Sequence, residues 1–223
     1  MNPYRPVAPR IAPVGGTVPA QSAAGEILET AFALKPAEVL LATRPTALLT
    51  VDDILPLIPL HIAALESFFA TGNLAPIGPL VLLYDHPDPA DFAHFHFSAG
   101  YPVDPHSAEK VAAFAEATGI EGATKGVLSR APRVGLGNSK AVFDAPRGTD
   151  FPPLEVRTLP PFHIASVTFA GPWSELGRAY PVLRQAIENS GLAFGPLTIE
   201  RYVVVGGTHD AGSVTVVQRQ LQP

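Results

Sequence analysis

Cysteine is absent from the 223 residues, which removes disulfide scaffolds, thiol nucleophiles and cysteine-ligated zinc. Tryptophan and methionine occur once each, and charged residues make up only 16% of the chain. Long hydrophobic runs are missing too. The longest apolar stretch, residues 54–65, is interrupted by Pro56, Pro59 and His61 and falls short of the roughly 20 residues that cross a bilayer. No concentrated basic patch occurs either: fifteen Lys and Arg are scattered along a chain of net charge −5. A phosphate-tracking surface gathers its positive charge, so direct nucleic-acid binding is not expected, while the anionic balance permits a cationic ligand without requiring one. The N-terminus lacks the apolar core of a secretory signal, and the expected location is the cytoplasm, without membrane contact.

Familiar catalytic patterns are likewise missing. There is no Gly-x-Ser-x-Gly elbow, no Gly-x-x-x-x-Gly-Lys-Ser/Thr loop and no His-Glu-x-x-His. Gly135-Leu136-Gly137 has Lys140 where a dinucleotide fingerprint needs its third glycine. No cofactor is implied.

What the chain does have is apolar material, 47% of its residues at a mean hydropathy of +0.21, enough for a sizeable core. It also has 25 prolines, about 11% and roughly twice average usage. Five of them, Pro3, Pro6, Pro9, Pro13 and Pro19, together with Gly15-Gly16, read as a flexible arm, set at residues 1–34. The others punctuate a pattern that occurs twice.

A shift of 118 positions lays Ala47-Leu48-Leu49-Thr50-Val51 on Ala165-Ser166-Val167-Thr168-Phe169, both strand-like. The same shift lays Ile58, Ile62, Leu65 and Phe69 on Leu176, Tyr180, Leu183 and Ile187, one face of an amphipathic helix in each case. With one residue deleted, Gly78-Pro79-Leu80 falls on Gly195-Pro196-Leu197, opening second strands at 80–85 and 197–205; third strands follow at about 92–103 and 213–221. The expected fold is therefore α+β, with two pseudo-symmetric strand-helix-strand-strand repeats at 38–103 and 154–222. Neither repeat can bury both faces of its sheet alone, so the two pair and leave a ligand cleft between them. A connecting insert, 104–153, carries a helix start at Pro105 and a strand candidate at 140–143.

Within this frame Glu200 stands in a strand otherwise made of Leu, Thr, Ile, Arg, Tyr and Val. Alternation puts Thr198, Glu200 and Tyr202 on one face, and a carboxylate there is costly to bury unless it is paired or has a task. An ordinary exposed strand face, or a pair with an arginine, would account for it as well. Trp173 follows Gly171-Pro172 at a helix start and could serve either as an aromatic wall for a cation or as core. Tyr180 occupies the helix face equivalent to Ile62, which reads first as core and otherwise as part of the ligand-binding wall. Tyr84, Phe97 and Tyr101, on the second and third strands of the first repeat, could line the opposite wall or pack inside. His94 and His96 offer two ligands on one strand face but no evident third, so no metal is expected.

The stretch Leu159-Pro160, Phe169-Ala170-Gly171-Pro172-Trp173, Ser190-Gly191-Leu192 and Pro196-Leu197-Thr198-Ile199-Glu200-Arg201-Tyr202 resembles the GyrI-like effector-binding family. The resemblance covers about 35–223. It implies a stand-alone binder of lipophilic, often cationic aromatic compounds, with Glu200 as counter-ion, Tyr202 beside it and Trp173 as the helix-start aromatic. A branch of the family that opens cyclopropane-bearing genotoxins implies a hydrolase, with Glu200 handling water and Tyr202 the leaving group. A topoisomerase inhibitor in the family implies a protein partner, for which the arm and the insert are the available surfaces. One departure stands out: the closing strand reads Val214-Thr215-Val216 where the family often has an acid after Val-Thr, and Gln220 replaces a proline.

Overall fold

The computed structural model describes residues 25–72, 74–107, 151–205 and 212–222. Most of the N-terminal arm, the strand candidate at 140–143 and most of the insert lie outside the described residues. Its fold is α+β, built on one nine-stranded antiparallel sheet. In chain order the elements are β1 (Glu26–Lys35), β2 (Glu38–Thr43), β3 (Leu48–Leu49), α1 (Val51–Ile54), α2 (Ile58–Gly72), β4 (Val81–Asp85) and β5 (Phe95–Pro102), then β6 (Leu154–Leu159), β7 (Phe162–Ala170), α3 (Ala179–Ser190), β8 (Ala193–Val204) and β9 (Val214–Gln222). A 3-10 turn at Pro105–Ser107 follows β5, and a 3-10 helix, Trp173–Arg178, leads into α3. No helix among the described residues is long and apolar enough to cross a membrane.

The strand order is β1-β7-β9-β8-β4-β5-β2-β6, with β3 on β5. Read from either end it matches β1 with β6, β7 with β2, β9 with β5 and β8 with β4. Each half is thus strand, strand, helix, strand, strand, one strand more than the repeat drawn from the sequence. Two readings change as a result. Residues 26–34, assigned to the arm, belong to β1, which pairs with β7 from Glu26↔Ala170 to Lys35↔Phe162. Residues 47–51, aligned with β7, hold only the two-residue β3 and the start of α1; the topological counterpart of β7 is β2. The reason is local: Asp53 accepts hydrogen bonds from the backbone N–H (2.9 Å) and hydroxyl (2.7 Å) of Thr50, which starts a helix where β-propensity alone suggests a strand.

Alternation along paired strands sorts the side chains onto two faces. On one, Phe169, Val167 and Ala165 of β7 and Val217 and Leu221 of β9 pack under Leu183 and Ile187 of α3. On that same face Leu41, Leu82, Phe97 and Tyr101 pack under Ile62, Leu65 and Phe69 of α2. Both helices therefore lie on one side, with the facing central strands β4 and β8 between them. The other side carries a separate cluster that includes Leu40, Val81, Leu83, Ile164 and Ile199. Only two residues join β1 to β2, and two join β6 to β7, although each pair is six places apart in the strand order. Six spacings in a flat sheet would be about 29 Å, more than two residues can span. The sheet must bend round that second face, and its hydrogen-bonded path ends at β1 and β6 without closing.

Gly171 ties this frame to the 3-10 helix. Its φ of +152° is open to glycine, and a Cβ there would lie 2.5 Å from Gly25 Cα and 3.0 Å from the Phe169 ring. Gly171→Ala should cost about 1–3 kcal/mol through backbone strain alone, and urea unfolding at equilibrium should move to lower denaturant. An unchanged midpoint would show that the turn relaxes freely.

Candidate functional site

Glu200 stands midway along β8, opposite Leu82 on β4 and Val217 on β9, on the face that bears both helices. Only 4% of it is exposed. Three tyrosine hydroxyls donate to its carboxylate. Tyr84 (2.8 Å) and Tyr202 (2.7 Å) reach Oε2, and Tyr180, from the first turn of α3, reaches Oε1 at 2.5 Å. Among the described residues no Lys, Arg or His forms an ion pair with it. Burial first, and then the neighbouring carboxylate charge, hold the three phenols well above their ordinary pKa, so at neutral pH they stay protonated and act as donors.

The carboxylate is held inside by hydroxyl donors alone, with no cationic partner among the described residues. An ion taken out of water costs several kcal/mol. Three hydrogen bonds to a charged group return about 1.5–3 kcal/mol each, which is enough to keep the group inside without a counter-ion.

Trp173 closes one end of the cluster, packed edge-on against Tyr202 at 5.0 Å between ring centroids and 82° between planes. Its Nε1 is buried with no acceptor among the described residues, as are Thr215 Oγ1 and Arg219 Nε. Thr215 faces Tyr202, and Arg219 faces Thr198, across the β8–β9 ladder. Three orphaned polar atoms thus lie on residues that meet Tyr202 and Thr198, the neighbours of Glu200 on its face of β8, and buried polar groups left unpaired call for water or a ligand.

Of the residues singled out from the sequence, Glu200, Tyr202, Tyr84 and Tyr180 come together through direct bonds, and Trp173 joins through Tyr202. Tyr180, for which the sequence left core and ligand wall both open, puts its hydroxyl on the carboxylate. Phe97 is fully buried with its ring 5.8 Å from that of Tyr84, its partner across the β4–β5 ladder, one strand further from Glu200. Tyr101 packs against Phe69 at 5.6 Å and is not among the donors to Glu200. His94 and His96 do not converge: His94 Nδ1 bonds Asp91 at 2.7 Å and His96 Nδ1 bonds the Thr46 carbonyl at 2.9 Å.

Arg219 was not legible as a site neighbour. It is fully buried, donating to Thr198 Oγ1 (2.5 Å) and the Pro89 carbonyl (2.7 Å), with its guanidinium 4.6 Å from the Phe92 ring centroid and 6.0 Å from that of Phe194. No carboxylate pairs with it among the described residues, and burial pulls its pKa down to about 10. The available signal was alternation, since Arg219 shares its face of β9 with Val217 and Leu221.

No family model matches the chain, and no curated protein matches it. Solved structures do. The C-terminal domain of EcmrR superposes with a TM-score of 0.54 at 14% identity, covering 87% of this chain and 97% of that one. SAV2435 bound to tetraphenylphosphonium gives 0.51 at 10% identity over 87% and 94%. A hydrolase from Listeria innocua gives 0.51 at 8% identity over 87% and 92%. At such identities the likeness speaks to architecture, and this chain shares the fold of the EcmrR C-terminal domain.

Proposed function

We propose that this protein binds hydrophobic organic cations, aromatic ones above all, at Glu200, acting as a sensing or sequestering module of the GyrI-like kind. The observation that carries the reading is a buried carboxylate dressed by three neutral phenols and, among the described residues, by no cation. In a low-dielectric setting its attraction for a ligand charge greatly exceeds the value in water. Aromatic faces add roughly 0.5–2 kcal/mol each for a cation placed over them, and Trp173, Tyr180 and Tyr202 supply such rings. The tetraphenylphosphonium carried by a protein of the same fold is a ligand of this chemistry and supports the choice of probe.

Trp173 is the only tryptophan and touches Tyr202, so it reports directly. Titration with tetraphenylphosphonium should change its fluorescence saturably, while tetraphenylborate, of the same shape and opposite charge, should bind at least tenfold more weakly at this site. Equal saturation curves for the two ions would overturn the reading.

A further inference from the structure

We infer that the opposite face of the sheet holds a second ligand site, one that takes an organic anion with an apolar body. A cavity of about 450 Å³ lies there beside the β1–β2 turn, with Lys35, Glu38 and Arg201 at its polar end and Leu34, Ile77 and Ile164 among its apolar walls. That volume is within the range of small-molecule sites.

The charges in it do not balance. Lys35 Nζ lies 2.8 Å from Glu38 Oε2, and Arg201 grips the same carboxylate with both terminal nitrogens, Nη1 on Oε1 at 3.0 Å and Nη2 on Oε2. Two cations thus share one anion, and both are largely withdrawn from solvent, with side-chain exposures of 6% and 15%. Arg201 Nε donates to Gln218 at 3.1 Å. Three of its five N–H groups are then engaged, and Lys35 spends two of three donors, one of them on the Pro36 carbonyl at 3.4 Å. Donors remain on both cations.

A net positive charge with unspent donors at one end, and an apolar wall at the other, fits a carboxylate on a hydrocarbon chain. Leu34 and Ile77, 61% and 65% exposed, carry the apolar surface out to the rim, where clustered exposed hydrophobic residues mark ligand grooves. A neutral ligand would leave the surplus charge uncompensated, and a cation would be repelled. Arg201 sits between Glu200 and Tyr202 on β8, so strand alternation sends it to the face opposite the cation site. The two sites have opposite charge preference and separate linings.

Decanoate is the probe. Calorimetric titration of the full chain should give one saturable site that decyltrimethylammonium does not occupy and tetraphenylphosphonium does not block. Lys35→Met should weaken decanoate at least tenfold. Glu38→Gln, which removes the internal competitor, should tighten it several-fold. Ile77→Trp, an exposed position whose replacement leaves the core untouched, should weaken it at least tenfold by filling the mouth, and decides the matter if a charge variant fails to fold. Glu200→Gln should leave decanoate binding unchanged. Absence of decanoate binding to the unaltered protein, equal affinity in Ile77→Trp, or loss of binding in Glu200→Gln would each overturn the inference.

Discussion

Glu200→Gln is expected to weaken tetraphenylphosphonium binding about 100-fold or more while leaving the protein folded. Removing one member of a buried, desolvated charge pair costs about 2–5 kcal/mol, and 2.7 kcal/mol corresponds to a factor of about 100. The fold should survive because Gln preserves the bonding. Its carbonyl can accept from Tyr84 and Tyr202, which now share Oε2, while its NH2 donates to the Tyr180 oxygen after that hydroxyl rotates. Stability should hold or rise slightly, since a buried charge no longer needs compensation. Tyr84→Phe provides the contrast. Losing one hydrogen bond to a charged group should lower stability by about 1.5–3 kcal/mol, while cation affinity holds or increases because the carboxylate has one donor fewer. Calorimetry and urea unfolding on both variants separate the two roles. Undiminished affinity in Glu200→Gln would remove the counter-ion from the proposal.

The second large effect concerns acid. Stability should fall steeply between pH 6.5 and 4 because two buried histidines must accept protons to unfold. Desolvation pulls the pKa of His61 from 6.5 to about 4, and desolvation together with the nearby Arg219 charge does the same to His86. His61 rests on Phe97, ring centroids 4.9 Å apart, with Nδ1 2.7 Å from Thr43 Oγ1. In His86, Nδ1–H donates to the Asp91 carbonyl at 2.9 Å, a bond that by itself favours the charged ring and is outweighed by burial and the Arg219 charge, while Nε2 accepts from Thr198, whose oxygen in turn accepts from Arg219. A proton on Nε2 would turn that acceptor into a second donor facing the hydroxyl that Arg219 already occupies.

The sign follows from linkage. With folded pKa values below the unfolded ones, the unfolded chain binds more protons in this window, so stability is fully present above pH 6.5 and is lost as pH falls toward 4. Each histidine contributes a slope of up to about 1.4 kcal/mol per pH unit and a total on the order of 3 kcal/mol, large against the usual 5–15 kcal/mol of a domain. Glu66, whose carboxyl is raised by burial, works in the opposite direction, so the histidine share is best read by difference. Urea midpoints at pH 7.5 and 5.0 should differ clearly, and His61→Gln, which can still bond Thr43, should reduce the difference by about half. Equal midpoints at the two pH values would refute this account.

Strand alternation alone put Thr198, Glu200 and Tyr202 on one face, and the matched Gly-Pro-Leu segments aligned β4 with β8. Those local features reach the centre of the candidate site. They do not reach Tyr180, whose helical spacing makes it a core residue by analogy with Ile62; only the packing of α3 over β8 turns its hydroxyl onto Glu200. Nor do they reach β1. In Glu26–Lys35 polar and apolar residues mix without a clean period, and its strand exists through its ladder with β7, more than 120 residues away along the chain. The slip at residues 47–51 has the same origin in reverse, a β-rich sequence overruled by the helix-start signal of Thr50 and Asp53.

Composition and periodicity by themselves determined that the chain folds as a paired α+β unit, that thiol and disulfide chemistry are excluded, and that an acid lies in an apolar strand. Whether that acid is solvated, paired with an arginine or enclosed by phenols was open, because a strand pattern specifies a face and not what covers it. The tertiary structure decided it by bringing side chains from β4, β8 and α3 within hydrogen-bond reach of one carboxylate. It also put a cationic cluster on the reverse face, where Lys35 and Arg201, 166 positions apart in the sequence, meet on Glu38. Contacts of that range depend on how the sheet bends, which no local pattern encodes.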